Sequence, residues 1–140
     1  MKNTSVGDEV LGAMLTEDVP FGDLTTNGLG IGSRGARMAM LARRSMCLCG
    51  SEEAARLVEL SGGHVVSCQS SGTRLDSGGE FLCVEGSSGA LHKAWKTAQT
   101  LVEYLSGIST CASEILDELY ASGFDLPLAC TRKNFPGTRA

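Results

Sequence analysis

Seven apolar residues, Leu91, Ala94, Trp95, Ala98, Leu101, Val102 and Leu105, recur at i, i+3, i+4, i+7, i+10, i+11 and i+14. That period predicts a helix, and a helix with one apolar side needs a second layer to cover it. Lys93, Lys96, Thr100 and Glu103 fall on the opposite, polar face. Gly107 is expected to break this helix. Ala112, Ile115, Leu116, Leu119 and Tyr120 repeat the pattern in a second helix that should end at Gly123.

The remaining signals supply the covering layer. Val6, Val10, Leu11, Met14 and Leu15 predict a short amphipathic helix over residues 4–16, with Asp8 and Glu9 near its positive end. Residues 17–26 read as a turn broken by Pro20 and Gly22, whose Asp and Thr side chains should bond nearby backbone. The glycine-rich stretch 28–35 lacks the lysine of a phosphate loop and reads as a plain loop. Two short strands are expected around Arg43-Arg44-Ser45. Ser51, followed by Glu52 and Glu53, should open a helix whose stripe is Ala54, Leu57, Val58 and Ser61 and whose end is Gly62-Gly63. A strand follows at 64–69, and residues 74–76 and 80–84 should form a hairpin about Ser77-Gly78-Gly79. The fold class is therefore α+β, a small open sheet covered by helices.

A net charge of −4 with no basic stripe argues against nucleic acid as the main partner. No apolar run reaches the ~20 residues of a membrane span. The first residues lack the apolar core of a signal peptide, so a cytoplasmic location is expected. In that setting the six cysteines read as reduced thiols packed as small hydrophobes, Cys47-x-Cys49 included.

The last stretch has a different character. Residues 126–130 read as an apolar strand, which ends at Arg132 and Lys133 before Pro136-Gly137 turns the chain. Side chains at the carboxyl end of a strand are what an α/β barrel turns toward its substrate. A guanidinium beside an ammonium suits a carboxylate or a phosphate. A complete barrel needs about 200 residues or more, so a chain of 140 can hold only its beginning.

Three blocks, in order along the chain, carry a resemblance. Glu17-Asp18-Val19-Pro20-Phe21-Gly22-Asp23-Leu24-Thr25-Thr26, Leu105-Ser106-Gly107-Ile108-Ser109-Thr110 and Thr131-Arg132-Lys133-Asn134-Phe135-Pro136-Gly137 are similar to signatures of the quinolinate phosphoribosyltransferases, also called nicotinate-nucleotide pyrophosphorylases. Trp95-Lys96-Thr97 and Asn134-Phe135 depart from the quinolinate enzymes and resemble the ModD branch of that family, associated with molybdenum transport. The resemblance implies that residues 1–110 form the family's amino-terminal α+β domain and 111–140 the start of an incomplete α/β barrel. It also implies transfer of phosphoribose from phosphoribosyl pyrophosphate to the nitrogen of an aromatic acid, with pyrophosphate leaving. It implies Arg132 and Lys133 as carboxylate-binding groups and Lys96, reaching into a neighbouring subunit of a homodimer, as a third. Arg139 is a further candidate of the same type. Mg²⁺ would be required by the complete enzyme, with its ligands outside this chain, so the 140 residues alone are expected to be inactive. A lysine where the quinolinate enzymes carry arginine loses the bidentate fork, which points to an acceptor other than quinolinate. The alternatives are a quinolinate phosphoribosyltransferase of NAD biosynthesis and a non-catalytic dimerisation module.

Overall fold

The structure is a computed structural model that describes residues 4–129, 131 and 133. Among them are four helices, α1 (Asp8–Asp18), α2 (Leu24–Gly28), α3 (Ser51–Leu60) and α4 (Ser88–Ala121), and five strands, β1 (Gly35–Leu41), β2 (Met46–Cys47), β3 (His64–Cys68), β4 (Arg74–Leu75) and β5 (Glu80–Ser87). The α+β class stands. β5 is the central strand of an antiparallel sheet ordered β1-β5-β3, and β2 and β4 form a separate two-stranded ribbon.

β5 holds the centre because Phe81, Leu82, Cys83 and Val84 are all buried, as a strand covered on both faces requires. Leu82 and Val84 join Leu48, Leu57, Val58, Leu91, Ala94, Ala98 and Val102 in one core between the sheet and the helices. A leucine such as Leu82, with no exposed surface, contributes about 1.5–3 kcal/mol by burial. On β1, Arg37 lies over Cys83 and donates through Nε to its Sγ at 3.2 Å, while its Nη1 pairs with Glu85 at 3.2 Å. α1 closes the core edge with Leu11 and Leu15, and Arg56 of α3 grips Asp8 at its start.

Several sequence expectations are corrected. Residues 74–84 are not a hairpin: β4 pairs with β2, whereas β5 pairs with β1 and β3. The seven-residue β1 gives the eight-residue β5 a far longer ladder than a two-residue β4 could. The Gly78-Gly79 turn bonds instead to Ala42, at 2.7 and 2.9 Å. Residues 24–28, placed in a turn, form the short helix α2. Ser51 opens α3 as expected, and Gly50, at φ 84°, stands at its N-cap. Trp95 was expected in the buried stripe of α4, yet it is 40% exposed.

Gly107 does not break the long helix, which runs unbroken from Ser88 to Ala121. Tertiary bonds on both sides of the glycine offset its helix penalty of about 1 kcal/mol. Residues 126–129, expected as a strand, carry no β structure and are exposed, since a strand forms only against a neighbour. Cys83 is the one buried thiol among the described cysteines. Cys47, Cys49 and Cys68 are half-buried at the ends of short strands, and Cys111 faces solvent.

Candidate functional site

α4 is the element that could present charge in a fixed direction. Leu91, Ala94, Ala98 and Val102 bed its first half in the core, so the opposite face is held outward. Lys96 stands on that face, fully accessible, with Nζ 5.2 Å from the centre of the Trp95 ring and 3.5 Å from Gln99 Oε1. The exposed tryptophan thus serves as a rest for the ammonium (a cation–π contact) rather than as core.

The block 17–26 docks on the same half of α4. Asp23 caps α2, its Oδ1 accepting from Thr25 N–H at 2.8 Å and Thr26 N–H at 2.9 Å. Its other oxygen faces His92 Nδ1 at 3.3 Å. The Thr26 amide, helped by that of Thr25 and by His92, holds the Asp23 carboxyl below its ordinary value against the opposing effect of burial, which is second only to the Thr26 bond. One turn further along α4, Thr97 Oγ1 donates to Asp18 Oδ2 at 3.2 Å. These carboxylates bond backbone and side chains of their own domain, as their residue types suggested. Their geometry is that of a brace between the 17–26 block and α4.

The block 105–110 is also structural. Ser106, buried in the helix, accepts from Cys49 N–H at 3.0 Å and donates to Cys49 O at 3.2 Å. One turn on, Thr110 Oγ1 accepts from Cys47 N–H at 2.9 Å and donates to Ser106 O at 2.6 Å. Two hydroxyls at i and i+4 therefore satisfy the backbone of β2 and the loop after it. Their spacing was legible in the sequence, but nothing there said which backbone they would meet.

Of the four cations expected to bind substrate, Lys96 and Lys133 are exposed, and Arg132 and Arg139 lie outside the described residues. No hydrogen bond or ion pair joins Lys96 to Lys133. A shallow depression along the last turns of α4 is lined by Glu114, Asp117, Glu118, Ala121 and Ser122. Its carboxylates have the wrong sign for a phosphate or an acid. Burial, then the Glu53 carboxylate, pushes the Cys49 thiol up, the reverse of an activated nucleophile. Among the described residues no three His, Cys, Asp or Glu side chains gather to hold a metal ion, and no helix is long and apolar enough to cross a membrane. What the geometry offers is fixed positive charge on a rigid helix.

Comparison with known proteins gives the family of the chain. Residues 23–106 match the family model "Quinolinate phosphoribosyl transferase, N-terminal domain". The chain is 39% identical over 135 residues to a Rhodobacter capsulatus protein named "Putative pyrophosphorylase ModD", covering 96% of this chain and 52% of that one. A protein of the same name from Escherichia coli O6:H1 is 33% identical over 127 residues, with 45% of its length covered. The crystal structure of NadC from Streptococcus pyogenes superposes with a TM-score of 0.85 at 26% identity, over 96% of this chain and 50% of that one. The chain spans about half the length of the curated relatives it matches.

Proposed function

We propose, for a chain that belongs to the quinolinate phosphoribosyl transferase family, that it supplies the amino-terminal part of a ModD-like pyrophosphorylase. In this reading residues 1–110 are the amino-terminal domain and 111–140 lead into the catalytic barrel. The whole protein would transfer phosphoribose from phosphoribosyl pyrophosphate to an aromatic acid in the cytoplasm. The bond from the anomeric carbon to the pyrophosphate oxygen breaks, and the ring nitrogen supplies the pair for the new bond. A negatively charged ring needs fixed cations, because a charge already in place costs no reorganisation when the ring arrives.

The observation that carries this reading is Lys96, an ammonium held outward by a helix whose other side is locked in the core. Lys133, Arg132 and Arg139 would complete the grip on the acid, with Lys96 reaching a partner subunit's site. The whole protein would also need Mg²⁺, held by ligands outside these 140 residues. Isothermal calorimetry on a polypeptide continued to the length of the relatives tests the proposal. Binding of phosphoribosyl pyrophosphate supports it, and absence of binding ends it.

A second reading has its own observation. Tyr104, Ile108 and Ile115, at 74%, 68% and 46% exposure, run down one side of α4. Such a stripe suits an interaction module without catalysis. Light scattering on the chain separates the two, since a strictly monomeric species rules the module out.

A further inference from the structure

We infer that α4 is two mechanical parts, and that residues 108–121 form an arm that opens as a unit about Gly107. Every buried residue of α4 lies at or before Ser106: Ser88, Leu91, Ala94, Ala98, Val102 and Ser106 itself. After Gly107 no residue of the helix is buried. The change falls at the glycine, whose missing side chain would touch nothing within 4 Å. Packing therefore does not require glycine at this position. What glycine supplies is the backbone freedom of a pivot.

Among the described residues the side-chain bonds from the arm to other elements go to the small β2–β4 ribbon, beside half-buried Ala112, Leu116 and Leu119. Thr110 Oγ1 accepts from Cys47 N–H at 2.9 Å, and Ser109 Oγ donates to Cys47 Sγ at 3.2 Å. Arg74 of β4 grips Asp117 through two bonds of 2.7 Å, with the two side chains 64% and 50% exposed. Solvent-exposed pairs of this kind are individually weak, whereas the first half of the helix shares the apolar core. Segments with few buried contacts open at far lower free energy than the core does. The arm is ~21 Å long, so a tilt of ~10° at Gly107 moves its end by ~4 Å. The chain leaves that end through Gly123 toward Lys133. If Lys133 grips the acid as proposed, the pivot shifts where the chain toward Lys133 leaves the domain. The opening itself does not depend on that reading.

Native-state hydrogen exchange on the 140-residue chain tests the hinge without any substrate. Amides 111–121 should exchange at least ~10-fold faster than amides 94–106, with a step at Gly107. The Cys47 N–H, bonded to Thr110, should follow the arm. Gly107→Ala should slow the arm about fivefold, the effect of replacing a helical glycine by alanine, and leave 94–106 unchanged. Asp117→Asn should speed the arm and the Cys47 amide several-fold, again without touching the first half. A smooth gradient from the helix end with no step, or either substitution shifting both halves equally, overturns the hinge.

Discussion

Gly50 and Leu105 meet where the start of α3 crosses α4: a Cβ on Gly50 would lie 2.7 Å from Leu105 Cδ1. Gly50 also sits at φ 84°, in the left-handed region. The leucine tip can swing aside, but the backbone strain of a side chain at this φ remains. Gly50→Ala should cost about 1–3 kcal/mol, read as a lower denaturation midpoint in urea at unchanged slope. A midpoint equal to wild type would mean that the α3–α4 crossing is looser than the structure shows.

Ser106→Ala should be costlier than an average surface change. It strips the Cys49 N–H of its acceptor inside the α4 contact, where no other partner bonds it. Leaving one buried donor unpaired costs about 1–3 kcal/mol. Thr110→Val keeps the shape and removes the same kind of acceptor from Cys47. The two should be less than additive in a double-mutant cycle, because both hydroxyls hold the same stretch of backbone.

Acid should loosen α2 through Asp23. Its folded carboxyl lies below the ordinary value of 3.8, held there first by the Thr26 amide. The native state therefore binds fewer protons than the unfolded chain near that pH. The contribution is present in full above the unfolded value and is lost as pH falls below it through the folded one. Asp8 and Asp117, lowered by Arg56 and Arg74, act with the same sign. Asp23→Asn, which keeps a capping side chain, should flatten the fall in stability below about pH 4, followed by circular dichroism. An unchanged acid limb would remove Asp23 from the account.

Lys96→Ala should separate binding from folding. Its side chain is exposed and its bonds are to neighbours on the same helix, so stability should change by no more than ~0.5 kcal/mol. If the whole protein has the proposed activity, losing a charged contact to the acid should raise its KM by ~10-fold or more, consistent with about 1.5–3 kcal/mol for a bond to a charged group. Equal KM values in variant and wild type would place the acid elsewhere. The 140-residue chain should release no pyrophosphate with or without Lys96.

Long periods were read well from the residues. The buried stripes of α3 and of the first half of α4 follow from spacing, because burial on one side of a helix needs only regular apolar positions. Pairing partners were not read well. Arg74 and Leu75 look like half of a hairpin with residues 80–84, and only the ladders of β1 and β3 on β5 show that this strand is already occupied on both edges. Trp95 fits the apolar period, yet the rotation of α4 leaves it at the rim under Lys96. The blocks 17–26 and 105–110 were visible as patterns, but their work as braces was not, since each acts on a distant stretch of chain.

Local composition and period determined the class of fold, the apolar stripes of α1, α3 and the first half of α4, and the positions where charge would face outward, because those depend on neighbours a few residues away. Which strand sits in the middle, whether Gly107 ends a helix or lies within it, and what the hydroxyls of Ser106 and Thr110 hold were decided only in three dimensions. Each depends on a partner remote in sequence, and a hydrogen bond or a ladder has no energy until that partner arrives.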